Sequence, residues 1–296
     1  MELIMKTPTM CLLLMLSVLS FPAYSDDAVP PVVDGRTYTQ HLIEAAQARY
    51  PSILSIVAVG KRYGTEDVVV LGSTLNRGTV FNKVSNPVTE SGASIGQGGT
   101  SYLVRQPYVS STGRPIGMLY ITFAHHEGQN TEPLHAAAAG VARRMARATL
   151  SDKNAVDPYP YDPEYGPDTY AQVLTERTTA LHPDLIVFMM HVNVPDMEKN
   201  VVIGSNIARF GKLADEDDMR VIETGETNLE VSSDGERFET ELPLLDVNGN
   251  VIGALGVVFN YKDGNDKEAL HTRGRAIRDA LASQIQDNAS LFGVAP

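Results

Sequence analysis

The 296-residue chain has no tryptophan and only one cysteine, Cys11. A lone cysteine closes no intramolecular disulfide, and this one falls within the first 25 residues, so the rest of the chain offers neither cross-link nor thiolate. Stability must then come from packed apolar cores, which favours domains of more than a hundred residues. Cations are also scarce: 24 Lys and Arg stand against 36 Asp and Glu, a formal charge of -12. That field repels phosphate backbones and no basic stripe offsets it, which argues against nucleic acid as a partner. Catalytic signatures are missing as well. Ser73 and Ser205 have no Gly-x-Ser-x-Gly elbow around them, no phosphate-binding glycine loop follows a strand, and there is no His-Glu-x-x-His and no Cys-x-x-Cys-His, so the expectation is a protein that is not an enzyme and carries no cofactor.

No apolar run reaches the roughly 20 residues of a membrane-spanning helix. The nearest approach, residues 12–21, follows Lys6 and ends at Ala23-Tyr24-Ser25, the small-x-small pattern of a signal-peptidase site. Residues 1–25 therefore read as an export signal, with an uncleaved anchor as the alternative, and the product is expected to be periplasmic or secreted.

What the chain does have is an internal repeat. Tyr38-Thr39-Gln40-His41-Leu42 returns as Tyr170-Ala171-Gln172-Val173-Leu174, and Val69-Val70-Leu71-Gly72-Ser73 returns as Val201-Val202-Ile203-Gly204-Ser205, both at a shift of 132. Further on the shift is 136: Pro107 matches Pro243, Gly113 matches Gly249, Ile116-Gly117 matches Ile252-Gly253, and Phe123 matches Phe259. The second copy thus carries four extra residues in between. Two modules are expected, at 34–150 and 169–290, joined by a Pro/Tyr-rich linker at 151–168 that reads as an extended, semi-rigid spacer.

Within each copy an amphipathic helix opening at Tyr38 or Tyr170 must stop before Pro51 or Pro183. Strand-like runs follow at 53–59 and 68–72, and at 185–194 and 201–204. In the second copy Asp215-Glu216-Asp217-Asp218 opens a short helix that Gly225 can close, and its acids read as a solvated helix start rather than a calcium loop. Residues 237–242 alternate, with Phe238 and Leu242 on one face and the charges on the other; a turn at 246–250 sends the chain back as a strand over 251–261. A helix over 266–286 closes the module. The fold class is α+β: two modules, each an antiparallel sheet with an N-terminal helix and a covering C-terminal helix.

The string Leu242-Pro243-Leu244-Leu245-Asp246-Val247-Asn248-Gly249-Asn250-Val251-Ile252-Gly253-Ala254-Leu255-Gly256-Val257-Val258 resembles the C-terminal hairpin of Cache domains, the PAS-like extracytoplasmic sensors of bacteria. Gln106-Pro107-Tyr108-Val109 with Gly113, Ile116 and Gly117 is a weaker copy. The Tyr-Arg-Trp-Tyr-Asp set of the amino-acid-binding Cache group is absent. The resemblance implies a sensor that takes a small molecule between the sheet and its flanking helix and loops, and passes that state to a membrane-bound receptor or kinase.

By that resemblance the ligand residues fall on the Gly-Ser-x-x-x-Arg segment: Ser73 and Arg77, and Ser205, Asn206 and Arg209, with Tyr108 beside them. The arginines could grip a carboxylate in a bidentate fork; the alternative is a turn whose Ser and Asn bond local backbone while Arg pairs with a surface acid. His191 and His125 are the candidates for a rival reading, a haem- or metal-binding periplasmic protein, against ordinary core or surface histidines. A ligand-free interaction module is the remaining alternative.

Overall fold

The computed structural model describes residue 32 and residues 34–195, 197 and 199–294. The export signal expected at 1–25 lies outside the described residues. The first half runs α1 (Tyr38–Arg49), β1 (Ile53–Lys61), β2 (Val68–Ser73), β3 (Gly92–Ile95), β4 (Ser101–Val109), β5 (Pro115–Ala124) and α2 (Glu132–Ala148). A one-turn helix, α3 (Asp152–Ala155), leads to the second half. That half runs α4 (Tyr170–Leu181), β6 (Leu185–Asn193), β7 (Asn200–Ser205), α5 (Glu216–Thr224), β8 (Asn228–Val231), β9 (Arg237–Leu245), β10 (Val251–Asn260), α6 (Lys267–Ala282) and α7 (Asn288–Phe292).

The fold is α+β, with two antiparallel five-stranded sheets ordered β2-β1-β5-β4-β3 and β7-β6-β10-β9-β8. Their registers are the same once the repeat is applied. Val57 faces Tyr120 where Met189 faces Gly256, and Pro107 faces Met118 where Pro243 faces Ala254. Even the irregularities recur, after Ala58 in β1 and after Met190 in β6. Each opening helix starts the same way: Thr37 or Thr169 accepts from the amide three residues on and donates its hydroxyl to Leu71 or Ile203 across the sheet edge. Gln40 and Gln172 then accept from the Ser73 and Ser205 amides, tying helix to strand twice over.

One face of each sheet makes the core. In the second half Phe188, Met190 and Val192 of β6, Phe238 and Leu242 of β9, and Leu255, Val257 and Phe259 of β10 pack under α4 and α6 through Leu174, Ile277 and Leu281. Ile56, Tyr108, Leu119, Ile121 and Phe123 do so in the first half beneath Ile43, Val141 and Met145. Burying a side chain of this size contributes about 2–3 kcal/mol, so two such cores suffice without a cross-link. Strand alternation sends Val187, Met189 and His191, with Glu239 and Glu241, to the opposite face.

The four extra residues of the second copy fall where it has α5, roofing the opposite face of β9 and β10. The first half has a 3-10 turn, Arg77–Thr79, and coil over 80–91 there. As expected, Asp215 caps α5 and Gly225 ends it in a left-handed conformation, φ 70°. The segment between the halves is not a free spacer. Tyr159 donates its amide to Arg36 O and stacks on His41, 3.8 Å between ring centroids, while the Asp162 amide reaches Phe210 O of the second half.

Candidate functional site

The structure places the expected ligand residues in local bonding. Ser73 Oγ accepts from the Leu75 and Asn76 amides, and Ser205 Oγ from those of Ile207 and Arg209, as Ser does in a turn. Asn206 clips the start of β6, accepting from the Phe188 amide at 2.8 Å and donating to Ile186 O at 2.9 Å. Tyr108 is fully buried, its hydroxyl between Thr39 and Thr149. Arg77 forks onto Glu44 of α1, Nη2 to Oε2 at 2.6 Å, on an exposed surface. Arg209 bonds Asp157 of the connecting segment at 3.1 Å, in a mostly buried pair that Asn154 Nδ2 also joins. The two arginines occupy one repeat position and do different work. Arg77→Ala should cost no more than about 0.5 kcal/mol, as exposed ion pairs do. Arg209→Ala should cost about 1–2 kcal/mol, because it strands the Asp157 carboxylate. Urea unfolding of the two variants checks the difference.

His125 stands at the end of β5 with Nδ1 2.8 Å from Gly99 O. His191 is elsewhere altogether: it is 2% exposed, on the sheet face under α5, with Nδ1 3.3 Å from Asp218 Oδ2 but not aligned for a hydrogen bond.

Around it lies a cluster drawn from three elements. Asp215 and Asp218 stand three apart at the start of α5, hence on one side of the helix, each side chain accepting from the other's amide in a capping box. Glu241 projects up from β9, held by Asn228 Nδ2 of β8. Carboxylate oxygens of these three all lie within 4.8 Å of one another, and Asp218 and Glu241 are buried. Lys212 Nζ is 3.5 Å from Asp215 Oδ2. Two residues along β9, Glu239 borders an adjoining cavity of about 340 Å³ lined also by Met189, Arg209, Glu230, Arg237 and Val258.

Burial without enough countercharge sets the protonation. Glu241 is pushed up to about 9 by burial, then by the hydrogen bond and charge of Asp218. Glu239 rises to about 7, through burial and then the charges of Asp218, Glu230 and Asp215. Burial works against Asp218 too, but His191, the Glu241 hydrogen bond and the Asp215 amide hold it below its ordinary range. His191 is itself lowered, chiefly by burial, so it is neutral at pH 7. Its charge supports Asp218 only in acid; near neutrality the Glu241 proton and the Asp215 amide carry that role. Glu241 and Asp218 thus share one proton.

The first half supplies its own control. At the positions of Glu239, Glu241 and His191 it has Leu103, Arg105 and Val59, and at that of Gly256 it has Tyr120. The Tyr120 hydroxyl reaches Val88 O in the coil that replaces α5, so its ring covers that face in the first half. In the second half the space over Gly256 is taken by Glu239, whose Oε1 lies 3.1 Å from where a Cβ would sit.

The alternation of 237–242 placed Glu239 and Glu241 on one face, but nothing local said that the face was roofed. Asp218 is not the solvated first-turn acid that its sequence context suggests: it is 6% exposed, roofed against β9. The usable signal was the mismatch within the repeat, glycine for tyrosine and two glutamates for leucine and arginine.

No family model matches the chain, and no curated protein matches it. Among solved structures it is similar to one described as an IclR-family transcriptional regulator from Rhodococcus sp., at 12% identity and TM-score 0.29, covering 57% of this chain and 73% of that one. It is also similar to the DhaR(N)-DhaL complex of E. coli, at 12% identity and TM-score 0.26, covering 77% and 86%. Likeness of this degree assigns neither a fold nor an activity.

Proposed function

We propose that this chain is an exported, non-enzymatic sensor-type protein whose second half binds a small polar ligand. The ligand lies on the outer sheet face beside α5, and its presence is passed to a membrane-bound receptor or kinase. The observation that carries this reading is the divergence of the two halves at one place. A repeat needs its core residues in both copies. Carboxyls set under a helix on the outer face of one copy only, where the other has Leu103 and Arg105 under coil, serve no shared structural need, and perturbed carboxyls beside a cavity mark functional sites. The PAS-like and Cache resemblance of the hairpin leads to the same face, and the first half then acts as the platform that carries the binding half. Among the described residues no helix is long and apolar enough to cross a membrane.

Gly256→Tyr copies the first half's plug into the second. In a thermal-shift screen of polar metabolites against the whole chain, ligands that raise the wild-type Tm should lose their effect on Gly256→Tyr, with circular dichroism unchanged. They should keep it on Tyr120→Gly. Hits that act equally on Gly256→Tyr would remove the cavity from the ligand's path and sink the proposal.

A further inference from the structure

The carboxylates beneath the first turn of α5, two of them buried and Asp215 half-buried, form a trio that the capping of a helix does not account for. Asp215 and Asp218 satisfy their capping box with one oxygen each. Glu241 comes from another element, distant in sequence, and takes no part in it. Ionised, the three carry three negative charges; Lys212, at 3.5 Å from Asp215, returns one. The remainder matches one divalent cation. A second observation stands apart from the acids: His191, 2% exposed, turns Nδ1 toward Asp218 and has no hydrogen-bond partner there. Buried polar nitrogens are ordinarily satisfied, so this one is set for an arrangement of Asp218 other than that of the cation-free chain.

We propose that Asp215, Asp218 and Glu241 bind one hard divalent cation of the calcium or manganese class beneath the first turn of α5, with His191 as the positioning residue that orients Asp218. An all-carboxylate set favours such oxygen-preferring ions. Asp218, drawn onto the ion, turns its second oxygen to accept from Nδ1–H of His191, the common arrangement in which an outer hydrogen bond fixes a ligand. The ion joins α5 to β9, two residues along that strand from Glu239 at the edge of the cavity. This deepens the reading that the second half is the binding half.

The test uses the whole chain stripped with chelator and titrated with Mn²⁺, free ion being followed by electron paramagnetic resonance. One ion per chain is expected, with calcium competing. Asp218→Asn and Glu241→Gln should weaken binding about 100-fold or more, and Asp217→Asn, on the exposed side of α5, should not. His191→Leu should weaken it by about 10-fold and His191→Asn, which keeps an N–H in the same place, should restore it. Bound Mn²⁺ should broaden the His191 ring resonances and spare those of His135. Absence of binding at millimolar Mn²⁺, or binding undiminished in Asp218→Asn and Glu241→Gln, overturns the cation site. If organic ligands still respond to Gly256→Tyr in that event, the ligand-binding reading stands without it. If Mn²⁺ binds as stated and no ligand responds to the tyrosine plug, the cation site stands and the cavity proposal falls.

Discussion

Glu241→Gln should make the chelator-treated protein more stable at pH 8 than the wild type, by about 1–3 kcal/mol, and should leave it unchanged near pH 4. The carboxyl is raised in the folded state to about 9 from the 4.5 of an exposed glutamate. Between those values the native chain holds a proton that the unfolded chain has released. Stability therefore falls as pH rises through that window. The three and a half pH units from 4.5 to 8, at about 1.4 kcal/mol each, set the ceiling; relaxation and water entry reduce it. Glutamine is the isostere of the protonated form: its amide can donate to Asp218 and its oxygen can accept from Asn228, without the titration. Asp218 runs the other way, being lowered, so its contribution is present above its ordinary range and lost only as pH falls below about 4. Urea unfolding at pH 4 and pH 8 separates the two. A Glu241→Gln chain no more stable than wild type at pH 8 would mean that Asp218 and Glu241 do not share a proton. Stabilisation by removal of an ionisable group is the signature of a group kept for binding rather than for folding.

The architecture was readable from residues that act locally. Asp215 and Gly225 bracket α5, Thr37 and Thr169 open the two long helices, and the turn at 246–250 reverses β9 into β10, because caps and turns are set by side chains within four residues of the backbone they bind. The repeat then supplied what local signals cannot, the pairing of distant strands in one register. The site was harder to see. Glu239 and Glu241 alternate with Phe238, Thr240 and Leu242 just as solvent-facing charges do, and only the packing of α5 on that face changes their meaning. Arg77 and Arg209 illustrate the converse. Equal in sequence context, they are bound by Glu44 of the same half and by Asp157 of the connecting segment, partners that no spacing predicts.

Gly253→Ala and Gly117→Ala should each destabilise the chain by about 3 kcal/mol or more, the largest losses expected of any single methyl group here. At Gly253 a Cβ would overlap the backbone oxygen of His191 and press on Val192 Cα, and at Gly117 it would overlap that of Val59 and press on Gly60 Cα at 2.7 Å. These are the same crossing in the two sheets, where β10 passes β6 and β5 passes β1. Backbone atoms on the partner strand cannot move aside without breaking the ladder, so the cost falls on strand pairing itself. Gly256→Ala is the contrast three residues away. Its Cβ meets only the end of the Glu239 side chain, which can swing, so the change should stay within about 0.5 kcal/mol. Urea midpoints of the three variants give the comparison. If Gly253→Ala and Gly256→Ala unfold at the same midpoint, β10 does not approach β6 as closely as the register requires. If Gly117→Ala and Gly253→Ala both fail while Gly256→Ala survives, the duplicated crossing and the place that Glu239 fills over Gly256 are separate features. The first then belongs to the fold that both halves share, and the second to the face on which only one of them carries Glu239.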